Sequence, residues 1–328
     1  MNKLFRLIPI LFIMLAVAGC SQKEDSEDQT GSIDYRAEMR TFIREISEYA
    51  KTIDPSFIVI PQNGNELLLL DENSGVFADD YIASIDGIGR EDLYFGYTGD
   101  NLPTPATERD YMIGFLDLAE NNGVEVLVTD YCSTPANVDS SCVWNNNKGY
   151  ISFAADHREL DDIPVYPVTP FNINTDDVDS LPAAKNFLYL LNDELLADKA
   201  EFLSALQNTD YDLIIMDLFY DGTLQFTPEE ITSLKTKAGG GQRLVIAYMS
   251  IGEAEDYRYY WQPGWMEGSP SWIVEENPDW QGNFIVKYWE EEWQQIIFGN
   301  SDAYLTKIID SEFDGVYLDI VDAFEYFE

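Results

Sequence analysis

Tyr211-Asp212-Leu213-Ile214-Ile215-Met216-Asp217 is the stretch on which the fold turns. Four consecutive apolar residues, too few for a helix, run straight into an acid, as in a strand buried on both faces. Downstream, Thr227-Pro228-Glu229-Glu230 supplies the N-cap, first-turn proline and reciprocal glutamate of a helix start, with Gly239 as its stop. Arg243-Leu244-Val245-Ile246-Ala247-Tyr248 is the next strand and leads into Ser250-Ile251-Gly252-Glu253. A helix near 302–310 precedes Gly315-Val316-Tyr317-Leu318, which again ends on an acid, Asp319.

Upstream the alternation continues. An opening helix over 34–52 places Met39, Phe42, Ile43, Ile46 and Ala50 on one face. Strands are expected at Phe57–Ile60, Leu93–Tyr97, Val124–Thr129 (with Asp130 at its end), Tyr150–Phe153 and Phe187–Leu191. Thr107 and Asp110 predict a capping box for a helix over 108–122 that stops at Gly123, and a further helix is expected near 194–207. About eight β/α steps across 33–328 predict an α/β fold, a single (β/α)8 TIM-type barrel. An open doubly wound sheet would carry a glycine-rich nucleotide turn. Gly239-Gly240-Gly241 lacks the Lys-Ser/Thr of a phosphate loop.

The N-terminus predicts export. Lys3 and Arg6 precede the apolar run Leu7–Ala16, and Val17-Ala18-Gly19-Cys20 follows as a lipobox. Residues 1–20 are therefore expected to be a lipoprotein signal with Cys20 acylated as a membrane anchor, and 21–32 an acidic tether. The expected address is the cell envelope, at the outer membrane or the cell surface.

Composition narrows the chemistry. A net charge of −41 excludes nucleic acid as partner and would attract a cationic polysaccharide, although an acidic surface also serves plain solvation. Besides Cys20 there are only Cys132 and Cys142, a pair whose bonding stays open. With His157 as the single histidine, neither a Ser-His-Asp triad nor a His/Cys metal motif is expected. Catalysis would fall to carboxylates, without a cofactor. Asp130, Asp217, Glu253 with Glu255, and Asp319 all follow strands, and in a parallel barrel they share one rim. Paired carboxylates are what glycoside hydrolysis requires. The segment 257–293 adds aromatic residues from Tyr257 to Trp293, half expected as sugar platforms and half as a minicore.

Two of these segments carry a family resemblance. Ser250-Ile-Gly-Glu-Ala-Glu-Asp-Tyr-Arg258 resembles the Ser-x-Gly-x-x-Glu-x-x-Arg motif of glycoside hydrolase family 114, the endo-α-1,4-polygalactosaminidase group. Phe313-Asp-Gly-Val-Tyr-Leu-Asp-Ile-Val-Asp322 is similar to its second motif, and Asp217-Leu218-Phe219 to its Asp-Leu-Phe element. Phe57-Ile-Val-Ile-Pro-Gln-Asn-Gly64 resembles related exported barrel proteins. The resemblance implies a glycosidase, endo-acting on an amino-sugar polysaccharide, with Asp319 as catalytic aspartate, Glu255 and Arg258 as motif acid and charge partner, and Asp217 in the cleft. It also implies a catalytic glutamate on a strand beyond Asp319, whereas this chain ends at Glu328. The first strand is then expected to pair in parallel with the last, as in a circular permutation, with Glu66 as acid/base. Gln62 and Glu253 are its rivals. Substrate contacts are expected from Glu253, Arg258, Asp130, Gln62, Asn63, Tyr248, Tyr317, Asp322 and Trp261. A non-catalytic sugar-binding lipoprotein and a metal-dependent hydrolase are the alternatives.

Overall fold

The computed structural model describes residues 33–328 except 73, 74 and 194. The expected leader, Cys20 and tether lie outside the described residues. Helix α1 (Tyr35–Ile53) buries Met39, Phe42, Ile43, Ile46 and Ala50, the face its 3.6-residue period dictates. Burying side chains of this kind contributes roughly 1.5–3 kcal/mol each before entropy is counted. The chain then enters β1 (Ile58–Pro61), and further strands follow at β2 (Gly87–Glu91), β3 (Glu125–Tyr131), β4 (Ile151–Ala155), β5 (Phe187–Tyr189), β6 (Leu213–Met216), β7 (Leu244–Ser250) and β8 (Gly315–Asp319). Between them lie α2 (Ala106–Asn121), α3 (Pro135–Lys148), α4 (Lys199–Gln207), α5 (Pro228–Leu234), α6 (Glu291–Ile297) and α7 (Tyr304–Asp310).

The strands form two parallel sheets. One has five strands in the order β1-β8-β7-β6-β5, the other three in the order β2-β3-β4. Single parallel bridges, Gln62 with Gly89 and Ser152 with Asn186, join strand ends of one sheet to the other. The expected parallel pairing of first strand with last is borne out, from Ile58 opposite Gly315 to Pro61 opposite Leu318. Gly315 is needed there because a Cβ would stand 2.3 Å from the Ile58 carbonyl oxygen. Tyr189 of β5 and Tyr317 of β8, which are not neighbours in the sheet, nonetheless meet with ring centroids 5.3 Å apart. These strands curl around a filled interior.

Four local expectations are corrected. Leu93–Tyr97 is not the second parallel strand; that place belongs to Gly87-Ile-Gly-Arg-Glu91, in register with Glu125–Thr129. Its glycines disguise it, yet Gly89 is required, because a Cβ would lie 2.0 Å from the Tyr317 hydroxyl. Helix α2 starts after Pro105 with no side-chain cap, so Thr107 and Asp110 do not form a capping box. Helix α5 does have the reciprocal Thr227/Glu230 cap but ends at Leu234, and the Gly239 amide is instead spent on Asp210. Helix α4 begins at Lys199, where Asp198 accepts from the Glu201 amide at 2.9 Å.

The aromatic segment is mostly core. Glu253–Glu255, Ile273–Glu276 and Asn283–Val286 form an antiparallel ribbon. Against it pack Trp265, Trp272 and Trp293, with successive centroids 4.9 and 5.2 Å apart. The Trp293 indole donates to the Ile251 carbonyl at 2.9 Å. Tyr257, Tyr259 and Trp280 remain exposed.

Candidate active site

Asp319 ends β8 and Gln62 follows β1, so the β1/β8 register brings them together at one rim. One oxygen of Asp319 accepts from Gln62 Nε2 at 2.9 Å and the other from the Tyr248 hydroxyl, on β7, at 2.7 Å. The same Gln62 nitrogen donates to Glu91 at the end of β2, also at 2.9 Å. Asn63 Nδ2 donates to that Glu91 oxygen at 3.2 Å, and the Tyr131 hydroxyl, from β3, donates to the other. The ends of five strands thus converge on two carboxylates bridged by one amide.

That bridge fixes the spacing. Two oxygens 2.9 Å from one nitrogen, each on its own amide hydrogen, stand roughly 5 Å apart given ~120° between those hydrogens. At this range the Glu91 charge disfavours ionisation of Asp319. Burial first, and the Glu91 charge second, push the Asp319 carboxyl up to about 7, against the opposing Tyr248 hydrogen bond. The Asp319 carboxyl therefore keeps part of its proton near neutrality.

The remaining predicted acids separate into other roles. Arg258 holds Glu255 through Nε at 2.6 Å and Asp217 through Nη2 at 2.7 Å, all three being buried. Glu255 also accepts from the Tyr257 hydroxyl at 2.6 Å, and Asp217 from the Phe219 amide at 2.7 Å. Burial raises the Asp217 carboxyl, opposed by Arg258. Glu255 and Asp217, expected as catalytic acids, thus stand in one ion-paired cluster around Arg258. Glu253 is likewise engaged, by the amides of Asn277 and Asn283 at 2.7 and 3.2 Å.

Asp130 is not a rim residue. It is fully buried and accepts from the Tyr94 and Phe95 amides, the Ser141 hydroxyl and the Asn145 amide. Glu66, in the 3-10 turn Asn65–Leu68, instead accepts from the Tyr111 hydroxyl at 3.0 Å. Glu91, not Glu66, is the carboxylate brought to Asp319. Tyr317 is buried with its hydroxyl unpartnered beneath Gly89, so it is a packing residue rather than a sugar contact. Asp322 lies in the turn after β8, its carboxyl pushed up to about 6 by burial and then by Glu325. Trp261 packs on Phe284 at 4.9 Å.

Asp156, His157 and Asp162, after β4, have potential metal-ligand atoms within 4.8 Å of one another, a grouping the sequence did not predict. Both imidazole nitrogens are already engaged, by Asp156 at 2.7 Å and Asp161 at 2.5 Å.

Sequence reasoning missed Glu91 and Tyr131. Glu91 follows Gly87-Ile-Gly-Arg, which has too little apolar character to be read as a strand; Tyr131 lies one residue past Asp130, the residue singled out instead. The available signal was the rule itself, an acid closing a short segment between two helices.

Comparison with known proteins adds the chemistry. Residues 174–328, just under half of the chain, match the model of glycoside-hydrolase family GH114. The second half of the chain, which carries Asp217, Glu255, Arg258 and Asp319, is therefore similar to that family. An uncharacterized protein of Methanocaldococcus jannaschii is 49% identical over 126 residues, 38% of this chain and 34% of that protein. One from Thermotoga maritima is 41% identical over 143 residues, 43% of this chain and 40% of its own length. One from Deinococcus radiodurans is 42% identical over 123 residues, 38% of this chain and 37% of its own. The chain thus matches about a third to two-fifths of the length of these relatives.

Proposed function

We propose that this chain is an exported glycoside hydrolase that cuts an amino-sugar polysaccharide with Asp319 and Glu91 as its catalytic pair. The observation that carries the reading is the single Gln62 nitrogen bonded to both carboxylates. It holds two acids roughly 5 Å apart, the separation of retaining glycosidases rather than the wider 6.5–9.5 Å of inverting ones. In such a pair one member protonates the leaving oxygen while the other attacks the anomeric carbon. Water then releases the sugar, and the first member takes back a proton. Tyr248, Tyr131 and Asn63 orient the two carboxylates and stabilise their charged forms by hydrogen bonding.

The two parallel sheets, bridged at Gln62/Gly89 and Ser152/Asn186, are on this reading the two arcs of one (β/α)8 barrel, with the catalytic pair at the C-terminal ends of its strands. The net charge of −41 favours a cationic polymer, such as a deacetylated galactosamine polysaccharide, and repels an anionic one. Acylated Cys20 would hold the enzyme at the cell envelope.

The test is a panel of soluble polysaccharides, including acetylated and deacetylated α-1,4-linked galactosamine polymers, with product sizing and NMR of the first-formed anomer. Internal cleavage of an amino-sugar polymer with retained configuration is the expected result. Cleavage with inverted configuration would remove the nucleophilic role from the pair. Absence of turnover on every polymer, alongside retained binding, would turn the reading to a sugar-binding protein.

A further inference from the structure

A second aromatic surface stands apart from the catalytic pair. The groove between α2 and α3 encloses about 550 Å³ and is lined by Tyr94, Arg109, Asp110, Ile113, Trp144 and Asn147, with Lys148 at its edge. Trp144 is 44% exposed, although its indole is large and apolar. It is held rigidly: Phe95 stacks on it at 5.8 Å and only 8° from parallel, and Tyr94 packs against it at 5.3 Å. The loop that carries those two rings is stapled to the buried Asp130 carboxylate by the Tyr94 and Phe95 amides, at 2.7 and 3.1 Å. Asp130 also takes the Ser141 hydroxyl and the Asn145 amide of α3, so it ties that loop to the helix that carries Trp144.

We propose that this groove is a second saccharide-binding site, which holds a stretch of the polymer on the outside of the domain. The ligand class rests on the hydrolase reading above; the site itself rests on its own geometry. A flat, fixed indole offers the apolar face on which a pyranose ring stacks. Polar groups flank it unspent: among the described residues the Trp144 indole N–H, the Asn147 side-chain amide and the Tyr94 hydroxyl make no hydrogen bond within the protein. Ligand sites combine such an apolar surface with a few convergent polar groups. The charges here are cancelled locally, Arg109 by Asp110 at 2.7 Å and Lys148 by Asp117 at 2.8 Å. The groove therefore offers contacts to ring faces and hydroxyls without a net charge of its own.

Titration of an α-1,4-linked galactosamine polymer into the Asp319→Asn chain, followed by calorimetry, tests this directly. Trp144→Ala and Asn147→Ala, each added to that chain, should weaken polymer binding at least about fivefold, the effect of losing one anchor of a site. With Asp319 intact, both should leave turnover of a galactosamine trisaccharide unchanged. Asn147 makes no intramolecular side-chain bond, so its variant keeps the test independent of any folding defect in Trp144→Ala. Unchanged polymer affinity in both variants would overturn the site while leaving the hydrolase standing. Failure of the parent chain to bind or cut any polysaccharide would sink both.

Discussion

Asn63, Asp92 and Ile320 share a left-handed backbone, with φ of 60°, 61° and 57°, and each directly follows a residue of the site: Gln62, Glu91 and Asp319. For a β-branched residue such as Ile320 this conformation is costly, on the order of 1–3 kcal/mol. The chain kinks out of the strand immediately after presenting each side chain. Gly252 accommodates this kink, since a Cβ there would stand 2.2 Å from the Ile320 carbonyl oxygen. Electrostatics add a second cost. An Asp319 carboxyl pushed from 3.8 up to about 7 keeps a proton that the unfolded chain has released. The unfolded state therefore binds fewer protons between about pH 4 and 7, and stability falls as pH rises through that window. The loss is on the order of 4 kcal/mol at most. Asp319→Asn should flatten this dependence, so that denaturation midpoints at pH 5 and pH 8 differ less than in the parent. A slope unchanged by the substitution would place the pH sensitivity elsewhere.

At the scale of elements, legibility followed apolar continuity. Strands β6, β7 and β8 are evident because their apolar runs are buried, and helix α1 because its buried face keeps an uninterrupted period. Strand β2 was hidden because its space is filled by another strand's residue: Gly89 makes room for the Tyr317 ring. Gly89→Ala should accordingly be destabilising by roughly 1–3 kcal/mol, as overpacking of a filled core is. Denaturant unfolding would check it, and a neutral outcome would mean that β2 and β8 do not press together as described. The rim acids were legible as a set but not as individuals. Whether an acid after a strand catalyses, as Asp319 is proposed to, or is neutralised, as Asp217 is by Arg258, depends on partners distant in sequence. The same holds for the aromatic segment, where Trp272 and Trp293 became core and Trp280 did not.

For the whole molecule, the proposal of an anchored enzyme offered to a cationic polymer rests on the acidic balance and the N-terminal lipobox. Cys20→Ser should release the protein as a soluble form or leave it unprocessed, read by membrane fractionation and mass spectrometry. Continued acylation in that variant would refute the anchor. The account rests most heavily on Glu91, which the fold, rather than any motif, brings to Asp319. Turnover on the polysaccharide the parent cuts should fall by on the order of 10³-fold in Glu91→Gln, as in Asp319→Asn, while Glu66→Gln retains it. Near-normal turnover by Glu91→Gln, or its loss in Glu66→Gln alone, would contradict the assignment of the pair.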